Sequence, residues 1–472
     1  MLAFDTLGLL PPLARAIEVL GFTSMTPVQA HALPAILEGR DVTAQARTGS
    51  GKTLALAVGI LTRVDLAESR VQGLVVCPTR ELAEQVSTEI RRLAKFMPNL
   101  KLLALCGGMP AREQVPSLTP PPHVVVATPG RLRDHLKRGT VALDGVRVLV
   151  LDEADRMLDM GFADAIAHIV AETPKSRQTL MFSATFPESI TALARGLSTG
   201  SVGRKPGGAS IPPLFVKVDT THDATEIEQL FFRVSTDFES RLETLRALLL
   251  QYHPDSALVF CHTREDTRGV AAALAQRGFS ALALNGEMEQ KDRDEVLLRF
   301  ANGSCSVLVA TDVAARGLDI KALGAVVAWE LPKDPDVHIH RIGRTGRAGL
   351  KGLALSLCTS RDTDRVQAIA ERQGIQVKWT VPEPVPARVA PPMPAPMRTL
   401  IVEGGRQDKL RAGDVLGALC GDVGLSGDDI GKIDVGASRT YVAVRRAHVK
   451  KAYEGLRAGK IKGRSFRVWF LE

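Results

Sequence analysis

Short runs of aliphatic and β-branched residues alternate along the chain with longer amphipathic stretches. In the first half, Leu74 to Cys77, Val124 to Ala127, Val148 to Leu151 and Leu180 to Phe182 are apolar without interruption. Runs of this length and composition predict strands of a parallel sheet buried on both faces, with helices between them. The pattern restarts with Ala257 to Phe260, Ala281 to Leu284, Val307 to Ala310, Ala325 to Ala328 and Leu353 to Ser356. Two separate doubly wound α/β lobes are therefore expected, each with its own core.

Punctuation by Gly and Pro places the boundaries. Gly200 to Pro213 reads as a loop of the first lobe, followed by a last strand, Leu214 to Val218, and a hinge near residues 219–226. Val381 to Pro396 is so rich in proline that it predicts an extended, semi-rigid spacer and a separate third domain beyond it. That last piece reads strand (Thr399 to Val402), helix (Arg411 to Cys420), strand (Gly431 to Val435), strand (Thr440 to Val444), helix (Ala447 to Leu456), strand (Ser465 to Leu471). The expected division is 1–219, 226–377, a linker at 378–397, and 398–472.

A length of 472 residues with 45% hydrophobic content fits about three ordinary globular domains. The formal charge of +8 is uneven: Arg398 to Glu472 holds 15 Lys and Arg against nine Asp and Glu, so most of the excess lies in the tail. A concentrated positive field attracts polyanions, although a basic surface can also be merely solvated. Aromatic residues make up 4%, which leaves little for base stacking and puts the weight on backbone contacts. Six cysteines without a CxxC pair argue against a zinc ribbon and against a disulfide framework. The start of the chain does not have the pattern of a signal peptide, and no apolar stretch reaches bilayer-spanning length.

Ala46 to Thr53 (ARTGSGKT) has the spacing of a phosphate-binding loop, with Ala46 where a first glycine is usual. In such a loop Thr48, Gly49, Ser50 and Gly51 let backbone N–H groups close around phosphates, Lys52 reaches the outer oxygens, and the Thr53 hydroxyl ligates Mg²⁺. A hundred residues on, the strand ending at Leu151 runs into Asp152-Glu153-Ala154-Asp155, carboxylates at the end of a strand where open α/β sheets bind ligands. Asp152 is expected to hold Mg²⁺, and Glu153 to orient and deprotonate an attacking water. In the second half, His340 to Arg347 sets Arg341, Arg344 and Arg347 three apart, and guanidinium groups so placed suit the charge on a transferring phosphoryl group. His262, His338 and His340 lack metal-ligand spacing and read as structural.

These segments, in this order, resemble the DEAD-box RNA helicases over about residues 4–360. The resemblance implies two RecA-like lobes that use ATP and Mg²⁺ to act on RNA, with Lys52, Asp152, Glu153, Arg344 and Arg347 as the catalytic set. It implies that Gln29 hydrogen-bonds adenine, that Phe22 stacks on it and that Asp319 holds the ribose, whereas the residues alone would place Phe4 and Phe22 in a core. Thr79, Arg80, Gly108, Thr128 and Arg131 in the first lobe, with Thr311 in the second lobe, resemble the family's RNA-backbone contacts. Taken singly, the first-lobe segments would more often be capped helix starts. Ser183 and Thr185 resemble the family's link between ATP state and RNA state, through hydrogen bonds to the acidic segment.

The tail is similar to the RNA-binding domain of DbpA-type bacterial helicases, an RRM-like fold, at Gly404 to Leu410, Ile430 to Asp434 and Gly459 to Arg464. That group acts on 23S ribosomal RNA, so a role in large-subunit assembly is implied, for a cytoplasmic, monomeric protein with RNA as partner. Thr440 to Val444 lacks the paired aromatics of a base-stacking sheet, which favours a basic face that includes Arg445, Arg446, Lys460, Lys462 and Arg464. A DNA-translocating helicase on the same paired lobes and an ATP-binding clamp without turnover are the two rival readings.

Overall fold

The computed structural model describes residues 3–46, 50–186, 188–197, 213–217, 227–315, 323–346, 351–382, 392 and 394–471. The first lobe is a parallel sheet of seven strands: Val42–Gln45 (β1), Gly73–Val76 (β2), Leu102–Leu105 (β3), Val124–Ala127 (β4), Val148–Asp152 (β5), Gln178–Ser183 (β6) and Leu214–Lys217 (β7). Their order across the sheet is β3-β4-β2-β5-β6-β1-β7. Side chains of one strand serve two cores: Val148 and Val150 join one apolar layer, and Leu149 and Leu151 join the other. Helices therefore cover both faces, which is why the strand read as an unbroken hydrophobic run. Phe4 is buried in the first of these layers, as its residue type implied.

The second lobe repeats the plan with Ile227–Arg233 (β8), Ala257–Cys261 (β9), Ala281–Leu284 (β10), Val307–Thr311 (β11), Ala325–Ala328 (β12), Gly352–Cys358 (β13) and Trp379–Thr380 (β14). These are ordered β10-β11-β9-β12-β13-β8-β14. His338, on the helix Pro335–Ile342, is buried against Phe231, and its Nε2 lies 3.3 Å from Gln229 Oε1. Burial, with the Arg341 charge adding to it, pushes its pKa down to about 3. The unfolded chain thus binds a proton that the folded lobe excludes between pH 6.5 and about 3, and stability is lost as pH falls through that window. His338→Gln should remove a slope of about 1.4 kcal/mol per pH unit. Chemical denaturation at pH 7, 6 and 5 measures it, and an equal slope in both proteins would assign the acid sensitivity elsewhere.

The tail forms an antiparallel sheet from Met397–Val402 (β15), Ile430–Val435 (β16), Thr440–Arg445 (β17) and Val468–Phe470 (β18), ordered β16-β17-β15-β18. Helices Ala412–Gly417, continued by a π turn at Ala418–Asp422, and Val449–Ala458 cover one face over Leu400, Val402, Val442 and Val444. The last strand is shorter than the sequence pattern predicts. On the other face Thr399, Ile401 and Ala443 are also buried. Thr399 Oγ1 accepts from Asn302 Nδ2 at 2.9 Å and lies 2.8 Å from Ser304 Oγ, both on the second lobe. Ala395 N donates to Ser280 Oγ and Met397 N to Gly303 O. The proline-rich stretch read as a spacer setting the tail apart, but the tail docks on the second lobe and forms one compact unit with it. A polar docking patch of this kind leaves no periodic signal in a sequence.

Candidate functional site

Sheet order decides which loops become neighbours. In the first lobe, β3, β4 and β2 lie side by side, and their carboxyl ends lead to Gly108, to Thr128 with Arg131, and to Thr79 with Arg80. The neighbouring strands β5, β6 and β1 lead to Asp152 with Glu153, to Ser183 with Thr185, and to the Gly-rich loop. One edge of one sheet thus carries the expected RNA contacts on one half and the expected ATP contacts on the other.

On the ATP half, the helix Lys52–Leu61 begins at Gly51, whose φ is +92°. Lys52 is 6% exposed and Asp152 3%, and neither Lys52 Nζ nor Asp152 Oδ1 has a hydrogen-bond partner among the described residues. Unmatched buried polar atoms on a cation and a carboxylate are costly unless a ligand satisfies them. Burial pushes the Asp152 carboxyl up to about 6, with Lys52 opposing the shift. A phosphate group against Lys52 and Mg²⁺ between Asp152 and the half-buried Thr53 fit this set of donors. Thr48, Gly49, Asp319 and Arg347 lie outside the described residues.

Gln29 is buried and binds within the protein: its Oε1 accepts from Thr26 N at 2.9 Å, and its Nε2 donates to Gly51 O at 3.0 Å. It therefore ties the segment expected to read adenine to the Gly-rich loop. Phe22 is 42% exposed, so it is not the core residue its type implied. A Cβ at Gly51 would collide with Gln29 Nε2 and fall 2.9 Å from Thr26 Oγ1, at a φ that L-residues resist. Gly51→Ala should weaken ATP binding about tenfold, the equivalent of ~1.4 kcal/mol of strain and misplacement. Equilibrium titration with a fluorescent ATP analogue reads this, and unchanged affinity would show that the loop tolerates a side chain.

Glu153 has a left-handed backbone, φ +54°, and its Oε2 accepts from Arg156 Nη1 at 2.6 Å in a buried ion pair. Asp155, two residues on, takes Thr185 N at 2.9 Å and Thr185 Oγ1 at 2.8 Å on Oδ2, and donates its own N–H to Ser183 Oγ at 3.3 Å. Burial works against the Asp155 charge, but the Thr185 bonds outweigh it and hold its carboxyl below the usual range. Ser183 and Thr185 are thus joined to the acidic segment, as expected. The junction is made by Asp155, the last residue of the acidic segment, while Arg156, which the motifs do not single out, holds Glu153.

On the RNA half, Thr79 caps the helix Arg80–Leu93 by accepting from Leu82 N, and Arg80 pairs with Glu84 at 2.7 Å. Thr128 precedes the helix Pro129–Lys137, and its hydroxyl makes no capping bond. Arg131 donates to Met109 O at 2.7 Å and to Gln114 Oε1 at 2.8 Å, which fixes the Gly107-Gly108 loop beside it. In the second lobe Thr311 ends β11, and its Oγ1 accepts from Ala314 N. Arg341 is buried in a two-pronged pair with Asp312, at 2.8 and 2.7 Å, and Arg344 is also buried.

In the tail, Arg445 donates to Asp428 O and Arg446 to Ala395 O. Lys460, Lys462 and Arg464 are exposed around a tight turn closed between Ile461 and Arg464, and Lys462 Nζ donates to Lys409 O. Among the described residues no helix is long and apolar enough to cross a membrane.

Residues 26–193 match the family description "DEAD/DEAH box helicase", 240–349 match "Helicase conserved C-terminal domain", and 399–469 match "DbpA RNA binding domain". The chain is 52% identical over 473 residues to "ATP-dependent RNA helicase DbpA" of Escherichia coli K12, with full coverage of both chains. It is 40% identical over 370 residues to "DEAD-box ATP-dependent RNA helicase CshA" of Bacillus cereus, covering 78% of this chain and 68% of the other. Among solved structures, S. cerevisiae Dbp5 bound to RNA and ADP BeF3 aligns with a TM-score of 0.70 at 29% identity, covering 81% of this chain and 96% of that one. Mss116p bound to ssRNA and AMP-PNP aligns at 0.69 and 26% identity, covering 81% and 80%. With two parallel-sheet lobes, an acidic segment at a strand end beside a phosphate loop, and a matching tail, the chain belongs to the DEAD-box family of ATP-dependent RNA helicases, with a DbpA-type RNA-binding domain.

Proposed function

We propose that this RNA-dependent ATPase remodels 23S ribosomal RNA during large-subunit assembly, as a cytoplasmic monomer, with Mg²⁺ serving ATP hydrolysis. The observation that carries the substrate is the tail, matched as a DbpA RNA-binding domain over residues 399–469. In this reading Lys52 and the loop Thr48 to Gly51 grip the phosphates, Thr53 and Asp152 hold Mg²⁺, and Phe22, Gln29 and Asp319 place the nucleoside. The metal's contribution is to neutralise charge on the phosphate oxygens. Glu153 takes the proton of the attacking water, and Arg344 and Arg347 from the second lobe neutralise the transferring group.

Thr79, Arg80, Gly108, Thr128, Arg131 and Thr311 hold one RNA strand by its backbone, which positions it without reading sequence. Asp155, bonded to Ser183 and Thr185, passes the nucleotide state to the neighbouring loops. Specificity falls to the tail. The sheet face on which an RNA-recognition fold would stack bases is buried at Thr399, Ile401 and Ala443, so the basic residues Arg445, Arg446, Lys460, Lys462 and Arg464 are left to meet a structured RNA. Crosslinking the intact protein to total cellular RNA and mapping the sites tests this. Crosslinks concentrated in 23S rRNA are expected, and an even spread over transcripts would refute the substrate. The proposed division is a first lobe over 1–219, a second lobe from 226 that extends to the strand Trp379–Thr380, and a tail whose sheet begins at Met397.

A further inference from the structure

Within the unit formed by the second lobe and the tail, a cavity of about 340 Å³ opens along their seam. Arg299 and Ser304 line it from the lobe, and Arg398, Thr399, Arg446 and Leu471 from the tail. Three guanidinium groups therefore share one cavity, and among the described lining residues there is no carboxylate. Two of the three are fixed. Arg398 lies over the Phe470 ring, 4.2 Å from its centroid, and Arg446 Nε donates to Ala395 O at 3.0 Å.

Arg299 differs. It is half-buried, and its guanidinium makes no hydrogen bond or ion pair with any described residue. Burial, and the Arg398 charge beside it, draw its pKa below the usual guanidinium value despite Glu295 nearby. Arg299 and Arg398 are half-buried and Arg446 is exposed, and like charges gathered at one partly screened cavity repel unless a counter-charge lies among them. Forked N–H donors match tetrahedral oxyanions, and the Ser280 hydroxyl, which accepts from Ala395 N at 2.8 Å, keeps its own proton to donate. The volume falls within the ordinary range for small-ligand sites, on the order of 300–1,000 Å³.

We propose that this seam cavity is a binding site for a phosphate group, and that its occupation clamps the tail onto the second lobe. Because both domains supply donors, binding and docking are thermodynamically linked: an anion touching both sides favours the docked arrangement. The phosphate has two possible sources, a small free phosphate compound or the backbone of bound RNA. The site is distinct from the phosphate loop, which lies in the first lobe.

Hydrogen exchange of the full-length protein, followed peptide by peptide, tests this with inorganic phosphate against chloride at equal ionic strength, and separately with a short oligouridylate. Peptides spanning 299–305 and 395–402 should exchange about fivefold more slowly when phosphate stands at about four times its dissociation constant. Peptides spanning 46–56 report any binding at the phosphate loop independently. Slowing by inorganic phosphate assigns the site to a free ligand, and slowing by the oligonucleotide alone assigns it to RNA backbone. In either case Arg299→Gln must abolish the effect. Arg398→Gln, which leaves the Thr399 contacts in place, gives the same reading if the first variant folds poorly. Slowing by neither probe, or slowing undiminished in both variants, overturns the proposal.

Discussion

Glu153→Gln is expected to lower RNA-stimulated ATP turnover by about 10²–10⁴-fold, the range lost when a positioned general base is removed. Affinity for ATP should change by no more than about threefold, because Lys52, Thr53 and Asp152 remain in place. The backbone supports this separation of roles: Glu153 holds φ +54°, a conformation that costs a non-glycine residue energy and persists where the surrounding structure enforces it. The side chain is also aimed by Arg156, which pairs with it at 2.6 Å. Glutamine keeps an oxygen to accept from Arg156 but has no basic site for a water proton. Turnover measured beside nucleotide affinity separates chemistry from folding, since a misfolded site would lose both. Turnover at the parent rate would favour a clamp that binds ATP without hydrolysing it.

The lobes were legible in the sequence because their central strands are buried on both faces, and burial of that kind writes an unbroken apolar run such as Val148 to Leu151. Several strands without that signature were not found. Val42–Gln45 carries Thr43 and Gln45 among its four residues, and Gln45 reaches across to Ala184 O. Ile227–Arg233 is interrupted by Glu228 and Gln229, and Leu102–Leu105 lies at a sheet edge, mostly half-buried. The same contrast holds for the site. Lys52, Asp152 and Glu153 announce themselves because phosphate and metal chemistry demands those residue types at those spacings. Asp155 belongs to the same acidic segment, but its bonds to residues about 30 positions away have no local pattern, and neither does the aiming of Glu153 by Arg156. The docking of the tail through Asn302, Ser304 and Thr399 was invisible for the same reason.

Removing residues 398–472 is expected to erase the preference for a structured 23S fragment over generic RNA by about 10²-fold or more, the gain that a tethered second module ordinarily supplies. The lobes' own grip is directed at phosphate and sugar, so the truncated protein should still hydrolyse ATP when any RNA is present at high concentration. Its fold should survive, because the tail has a core of its own, built on Leu400, Val402, Val442 and Val444, and shares none of those residues with the lobes. What the cut exposes on the second lobe includes Asn302 and Ser304, polar groups that water can satisfy in place of Thr399. Docking sharpens the expectation: a tail fixed to the second lobe presents its bound RNA from one direction, whereas a loose tether would present it from many. ATPase activation measured against increasing 23S fragment and against an unrelated duplex decides the matter. If the truncated protein keeps the full ratio between the two, recognition resides in the lobes and the tail serves another purpose.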